Sequence, residues 1–575
     1  MANQDGLRVP LTNSALRPEA WKKLLGGYFD RDNLVNAFTY GWDLSLDRNP
    51  MPKNSKFNHP SARHFPADIG EYIGKELAFG CLVGPIPAVT PFPVFCSPLA
   101  TVPKPGSSTR RTITDCSQGK LGINSWIPAH WHRGKKWKIK LPSTDDIVVA
   151  IRQVRSAHPG DAVVLFKLDL SRYYRWFLVD PGQVPYLAVR WDDKVYLDLA
   201  FSFGNRGAML GAQRTSNAIA WMFRTQLPPG PGLKNSGRNC SCSDDCSCGD
   251  NRLLPYVDDL IAVVPKSRAM YLFNMLLAVL SHLGLQPSTT PGHVVPPSET
   301  VVALGVLFDL SNNTISVPDG KLKEIRDLLQ FWLYKHNASR RELQQLLGKL
   351  LHVSRVVRPG RLHLSRMLDT LRRSKELDMV VPIDSNFHLD IVWWVDNLQH
   401  WNGVSILEFT AVHNKIAVDA SSNGWLDGSP GLGGFNFIKG EYFKCGVPRE
   451  MQSWHIADLE LLAHLVCARL WAYSWEGLEI WGLTDSEPTE LFLRHGRSRK
   501  DRRIQMSRLF TAMQHRSKFL WVSGAVRSKA NILPDCCSRW REPERRAAFW
   551  NECARLGISP RECSVTYSMF NIFYI

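Results

Sequence analysis

The run Pro255-Tyr256-Val257-Asp258-Asp259-Leu260-Ile261-Ala262-Val263-Val264 constrains the fold more than any other stretch of the chain. Two adjacent acids interrupt apolar, β-prone segments. Segments of this kind pair as strands, and the short polar break between them is the turn. The spacing therefore predicts a hairpin that presents both carboxylates at its tip. Two like charges at one tip repel each other, and a divalent cation is the simplest compensation. Asp also suits turns for purely local reasons, so the pair needs partners elsewhere before it means more than a turn.

A third acid ends a second apolar strand, Ala162-Val163-Val164-Leu165-Phe166-Lys167-Leu168-Asp169. Asp169 is far from Asp258 in sequence, so only the fold can join them. Three carboxylates suffice for two Mg²⁺ ions, roughly 4 Å apart, of the kind that drives phosphoryl transfer. Tyr174 follows five residues later. Upstream, Lys104 and Arg111 flank a Pro-Gly turn. Two cations there suit a triphosphate, which Arg can grip with two parallel hydrogen bonds. In Phe203-Gly204-Asn205-Arg206-Gly207, glycine permits close backbone approach to a ligand.

A second set of acids follows. Lys415-Ile416-Ala417-Val418 runs into Asp419, and Leu478 to Thr484 runs into Asp485. Glu460 lies in a helix with Ile456, Leu459, Ala463, Val466 and Leu470 on one face. Asp535 opens a helix after Asn531-Ile532-Leu533-Pro534.

At 575 residues the chain exceeds one core, and three or four domains are expected. Its formal net charge of +17 and its twenty tryptophans point to a polyanionic partner with bases to stack on. Trp131 to Lys140 and Arg494 to Arg503 are the densest basic segments. No apolar window of about eighteen residues occurs and no leader is visible, so no membrane span is expected. The expected location is intracellular, cytoplasmic and/or nuclear. Thirteen cysteines, an odd count, fit reduced thiols. Cys240, Cys242, Cys246 and Cys248 lie in a Gly/Pro/Ser-rich insertion whose Cys-x-Cys spacing is unlike a zinc knuckle. A flexible loop is expected there. Ser339-Arg340-Arg341-Glu342 forms a capping box ahead of Leu343, Leu346, Leu347, Leu350 and Leu351 at helical spacing.

Taken together, these motifs resemble retroelement reverse transcriptases with an attached RNase H, over roughly residues 95–542. Phe-Lys-Leu-Asp with Tyr174, and Tyr256-Val257-Asp258-Asp259, look like motifs A and C. Phe203-Gly204 looks like motif B without its commonest Pro-Gln-Gly form, and Lys104 with Arg111 looks like the fingers hairpin. His293 stands where a motif D lysine is usual. Asp419, Glu460, Asp485 and Asp535 follow the RNase H order, although Ser486 replaces a frequent Asn and no His precedes Asp535. The ending Asn-x2-Pro-Asp-x2-Ser-Arg is most similar to DIRS/Ngaro-type elements, which pair these domains with a tyrosine recombinase. Two His-x2-Arg matches, at His352 and His363, have no partner constellation and read as coincidence.

The resemblance implies an α+β / α/β multidomain chain. A right-hand polymerase with fingers, palm and thumb would precede a helical connector and an RNase H-like α/β domain. The implied segments are an extension (1–60), fingers and palm (61–310, with the Cys-rich insertion at 228–251), thumb/connection (311–410), RNase H-like domain (411–542) and tail (543–575). It implies RNA-directed DNA polymerase and ribonuclease H activities. Asp169, Asp258 and Asp259 would be one catalytic, metal-binding set, and the later quartet the other. Lys104, Arg111, Tyr174 (a steric gate against the 2′-hydroxyl), Gly204 and Tyr256 would bind the nucleotide. Each site would take two Mg²⁺, with Mn²⁺ as the alternative. The implied partners are an RNA template, a DNA primer, an RNA–DNA hybrid and dNTPs, with the recombinase as a further protein partner. The rival expectation is a domesticated, non-catalytic nucleic-acid-binding protein.

Overall fold

The computed structural model describes residues 11, 14–46, 57–87, 93–104, 110–118, 122–128, 130–225, 251–403, 405–406, 410–495 and 501–572. The four-cysteine cluster, the turn at 105–109 and residues 496–500 lie outside the described residues. The chain is a multidomain mixture of helices and sheets in two compact units, Met1–Leu304 with Phe308–Ser311, and Gly305–Leu307 with Asn312–Ile575. Among the described residues no helix is long and apolar enough to cross a membrane.

The first unit contains helices α1 (Pro18–Leu24), α2 (Arg31–Tyr40) and α3 (Pro66–Ala78), the hairpin β1 (Leu99–Pro103) and β2 (Arg110–Thr114), and the short hairpin β3 (Trp131–His132) and β4 (Lys135–Lys136). Then come α4 (Thr144–Ala157), β5 (Val163–Asp169), α5 (Arg206–Thr225), β6 (Arg252–Tyr256), β7 (Asp259–Pro265), α6 (Ala269–Leu283) and β8 (Val294–Ser298). The central sheet has the order β6-β7-β5-β8, all antiparallel. From Leu260 to Pro265, β7 is buried at every residue, so both faces of this strand are covered. That explains its continuous apolar run. Phe166 of β5 meets Phe223 and Phe273 edge-on, and Leu168, Leu260 and Ala262 extend the same core.

Residues read from sequence as an N-terminal extension contribute to that core. Trp21, Leu25, Leu34, Phe38 and Trp42 are buried in it, and the Trp21 indole donates to the Leu283 carbonyl at 3.1 Å. Pro and Asn punctuation obscured this segment, because its helices are short and their stability comes from tertiary burial.

The second unit begins with helices α7 (Asp319–Leu333), α8 (Arg340–Val353), α9 (Ser365–Arg373) and α10 (Ser385–Trp401). The Ser339/Glu342 capping box forms at α8, whose Leu343, Leu346, Leu347 and Leu350 are buried; Leu351 turns outward, one residue off that face. Next come β9 (Thr410–Ser421), β10 (Gly431–Asn436), β11 (Glu441–Gly446), α11 (Ile456–Trp471), β12 (Leu478–Thr484), α12 (Glu487–His495), α13 (Asp501–Arg516), β13 (Leu520–Ala525), α14 (Ile532–Ser538), α15 (Pro543–Leu556) and β14 (Arg561–Glu562). They build a six-stranded sheet in the order β13-β12-β9-β10-β11-β14.

The residues after 542 are part of this unit. β14 adds to β11 in parallel, Phe570 and Ile572 enter the core, and Arg469 donates to the Met569 and Asn571 carbonyls at 2.6 Å. Within the same unit, fully buried Asp390 of α10 pairs with Arg508 of α13 at 2.7 Å. His363 stacks on Trp393 at 3.9 Å, a packing role for one of the His-x2-Arg matches.

Candidate active sites

The expected hairpin is present, and its tip is strained. Tyr256 pairs with Asp259, leaving Val257 and Asp258 as a two-residue turn. Such turns need positive φ, normally supplied by Asn or Gly. Here Val257 adopts φ 55°, which is costly for a β-branched residue. Helix α5 holds it there. Gln213 accepts from the Val257 N–H at 2.9 Å and donates to the Pro255 carbonyl at 2.9 Å, while the Ser216 hydroxyl donates to the Val257 carbonyl. The Tyr173 hydroxyl lies 2.7 Å from Ser216 Oγ. Strain of this kind persists only where the surroundings over-determine it. Gln213, Ser216 and Tyr173 carry no motif signal, and their role appears only once α5 packs against the hairpin.

The strand register joins the distant acids. Asp259 lies opposite Asp169 in the β7–β5 ladder, and the Leu170 N–H donates to the Asp258 carbonyl at 3.0 Å. Each end of the set meets a cation or imidazole: Lys167 Nζ is 3.0 Å from Asp259 Oδ1, and His293 Nδ1 contacts Asp169 Oδ2. Burial, then the nearby Asp169 carboxylate, pushes Asp258 up to about 6. Burial also raises Asp169, against its hydrogen bond to His293.

Tyr174 stands beside this set. Its ring packs edge-on against Phe203 at 5.3 Å, and burial followed by the charges of Asp258 and Tyr256 pushes its hydroxyl up to about 12. The Arg111 guanidinium carbon lies 5.5 Å from the Phe203 ring centre. Gly204 has φ +107°, and a Cβ there would sit 2.4 Å from the Thr114 carbonyl of β2, so glycine is obligatory. The Asn124 side chain donates to the Gly204 carbonyl and accepts from the Arg206 N–H, both at 2.7 Å. These contacts tie the hairpin that carries Arg111 to the start of α5. Arg111 pairs with Val102 in the β1–β2 ladder, and Lys104 follows β1 as an exposed side chain. Tyr256 is 37% exposed, at the end of β6.

The second acid set is more compact. Parallel strands β9 and β12 match Ala417 with Leu483, which brings Asp419, still within β9 opposite Gly433, beside Asp485, just past the end of β12. Ligand sites favour such carboxyl ends of parallel strands. Glu460 of α11 reaches across both strands. It accepts from the Ala420 N–H at 3.1 Å and from the Thr484 hydroxyl at 3.4 Å. Ligand oxygens of Asp419, Glu460 and Asp485 all lie within 4.8 Å of one another, the one such group of three among the described residues. Burial, then Asp485 and Asp535, pushes Asp419 up to about 7 against a hydrogen bond from Ser538. Burial, then Asp419 and Asp485, raises Glu460 well above its usual range.

Asp535 sits outside this group. Its carboxylate pairs with Arg539 at 2.8 Å and Arg545 at 2.7 Å. Cys537 on the same helix sits so near β10 that a Cβ at Gly433, opposite Asp419, would lie 2.5 Å from it. A helix face read as Ile456, Leu459, Ala463, Val466 and Leu470 proves too narrow: α11 is buried nearly all round from Asp458 to Ala468.

His132 and Trp137 of the first basic segment are used internally. His132 is buried, stacks on Trp42 at 4.9 Å and lies 2.9 Å from the Arg214 guanidinium, which sits 3.7 Å over Trp137 and pairs with Asp30. Lys135, Lys136 and Lys138 remain exposed. In the second segment Arg502 and Arg503 pair with Asp458.

No family description and no curated protein matches the chain. The solved structures that resemble it include three at 13% identity. A foamy viral protease-reverse transcriptase dRH in complex with double-stranded DNA gives a TM-score of 0.46 over 91% of this chain and 84% of that one. The foamy viral protease-reverse transcriptase with an RNA/DNA hybrid gives 0.45 over 91% and 64%, and with double-stranded DNA 0.43 over 90% and 99%.

Proposed function

We propose that the chain is an RNA-directed DNA polymerase with ribonuclease H activity, of the retroelement type and most like DIRS/Ngaro elements. The observation that carries this reading is the register of β5 and β7, which sets Asp169 opposite Asp259 beside a strained turn bearing Asp258. Three neighbouring carboxylates, two of them raised by burial and then by one another, have the donor chemistry of a divalent-cation site. The first unit would then supply fingers and palm. The second would supply thumb, connector and RNase H domain.

In the polymerase site, Asp169, Asp258 and Asp259 would hold Mg²⁺, or Mn²⁺, which when bound neutralises the triphosphate and activates the attacking 3′-hydroxyl. Lys167 and His293 hold the acids apart until then. Arg111 and Lys104 meet the triphosphate from the β1–β2 hairpin. Tyr174, braced by Phe203, closes the space under the sugar, and Gly204 admits the template base. In the second site Asp419, Glu460 and Asp485 would hold the same ions against an RNA phosphodiester of the hybrid. Asp535 acts from outside, through its charge. The retained geometry of both sites favours catalysis over a binding-only, domesticated role.

Primer extension on poly(rA)/oligo(dT) with Mg²⁺ tests the reading. Extension with dTTP is expected, rejection of UTP is expected, and Tyr174→Ala should admit UTP. A wild-type chain that binds the hybrid and extends nothing would overturn the polymerase reading.

A further inference from the structure

Three glycines let the end of α14 close onto the strand that carries Asp419. A Cβ at Gly431 would lie 2.1 Å from the Ser538 carbonyl oxygen, and one at Gly424 would lie 2.4 Å from the same atom. A Cβ at Gly433 would lie 2.5 Å from the Ser538 backbone nitrogen. In the β9–β10 ladder Gly431 pairs with Ser421 and Gly433 with Asp419. The obstacle in each case is backbone, so these positions accept only glycine while Ser538 stays where it is.

The helix is fastened to β9 on both sides of Asp419. Just ahead of it, the Asn531 side-chain amide donates to the Val418 carbonyl at 3.1 Å. At its end, the Ser421 hydroxyl donates to the Ser538 carbonyl at 2.7 Å. Residues two apart on a strand share a face, so Asp419 and Ser421 both meet Ser538, one at its side chain and the other at its backbone. Ser538 is fully buried, and its hydroxyl donates to Asp419 Oδ2. The Asp535 carbonyl, 3.1 Å away, is a second acceptor. One hydroxyl proton serves one of them at a time, and an ionised carboxylate is the stronger acceptor. A carboxylate turns about one bond, so holding Oδ2 also fixes where Oδ1 stands. Asp419 is one of the three acids whose oxygens converge within 4.8 Å, and a hydrogen-bonded ligand loses less freedom when a cation arrives.

We propose that Ser538 is a positioning residue of the second acid set, whose hydroxyl sets the Asp419 carboxylate for a divalent cation. The inference rests on the reading of that set as a cation site. Ser538 itself ligates nothing and acts only through Asp419.

The test uses the full chain carrying Asp258→Asn and Asp259→Asn, so that cation binding reports the second set. Mn²⁺ binding is followed by electron paramagnetic resonance, and thermal melts in EDTA check that each variant is folded. Ser538→Ala removes the hydroxyl and adds no bulk. It should weaken Mn²⁺ binding about tenfold, the scale expected when a metal ligand loses its hydrogen-bond partner. Ser538→Cys keeps the size with a weaker donor and should fall between the two. Ser421→Ala frees the Ser538 carbonyl but leaves the hydroxyl, so its Mn²⁺ affinity should stay close to that of the parent. Hybrid cleavage should show the same split. In Ser538→Ala the half-saturating Mg²⁺ concentration rises about tenfold, and most of the rate returns at saturation. Unchanged Mn²⁺ affinity in Ser538→Ala would overturn the proposal, and so would an equal loss in Ser421→Ala. The two readings fail differently. A parent that binds Mn²⁺ and cleaves no hybrid loses the ribonuclease reading, while a tenfold affinity loss in Ser538→Ala still upholds the positioning role. Normal cleavage with unchanged affinity in Ser538→Ala removes the positioning role alone, and a parent that binds no Mn²⁺ removes both.

Discussion

The two acid sets solve the same electrostatic problem in opposite ways. In the first, the carboxylates stand at a strand end and a hairpin tip, and the protein supplies a counter-charge, Lys167, and a hydrogen-bond partner, His293. In the second, Asp419 and Glu460 are buried, and among the described residues no Lys or Arg forms an ion pair with them or with Asp485. Burial, then Asp485 and Asp535, pushes Asp419 up to about 7, and burial, then Asp169, pushes Asp258 up to about 6. The first set is poised by partners that can move aside. The second is held in a strained, repulsive state by its scaffold.

The largest expected effect tests whether the two sets work independently. Asp258→Asn with Asp259→Asn should lower primer extension about 10³-fold or more and leave hybrid cleavage intact. Asp419→Asn should do the converse. Loss of both activities from either change would mean that folding, not chemistry, had been damaged.

The second prediction concerns stability. Asp419 ordinarily titrates near 3.8 and in the fold near 7, so between those values the folded chain holds a proton that the unfolded chain has lost. Stability therefore falls as pH rises through that window. Asn cannot titrate, so Asp419→Asn should raise the melting temperature by roughly 5 °C at pH 8 and not at pH 4. Mg²⁺ should narrow the difference at pH 8 by stabilising the wild type. Equal gains at both pH values would assign the effect to packing. The first set should respond less, because the Lys167 ammonium already offsets part of its charge.

Third, Gln213→Ala removes the two hydrogen bonds that the Gln213 amide makes to Pro255 and Val257 and leaves the one from Ser216. Leaving those groups unpaired should cost about 1–3 kcal/mol. Extension should drop roughly tenfold with hybrid cleavage unchanged. A variant that extends normally would show that the turn holds its φ without Gln213.

What could be read from sequence divides along the same line. Asp169, Asp258, Asp419 and Asp485 were legible because each follows an apolar β-prone run in the sequence. The capping box at Ser339 was legible because it is local. Long-range devices were not. Nothing near Gln213 or Ser216 announces that they pin a left-handed valine forty residues away. Trp21 and Trp42 looked like parts of a partly ordered extension because they pack on residues far along the chain, Trp21 on Leu283 and Trp42 on His132 and Phe201. Trp137 and His132 looked ready to stack on bases, yet Arg214 and Trp42 occupy them. Asp535 matched a motif position, but the arginines that claim it, Arg539 and Arg545, could be assigned only from the helix geometry.

Asp535 gives the smallest effect and the sharpest distinction. A metal ligand replaced by Asn should lose activity on the scale of Asp419→Asn. A carboxylate held by two arginines should not, because Asn still accepts from Arg539 and the trio of Asp419, Glu460 and Asp485 stays intact. Asp535→Asn should therefore lower hybrid cleavage by less than about tenfold at saturating Mg²⁺. Its charge still acts at a distance. Asp535 raises Asp419 and Arg539 lowers it, so removing the acid leaves the arginine unopposed and Asp419 gives up its proton more easily. The acid limb of the cleavage–pH profile should move to lower pH by a fraction of a unit, and raised salt should shrink the shift. An unshifted limb with a large loss of rate would make Asp535 a ligand after all, and the second set a quartet.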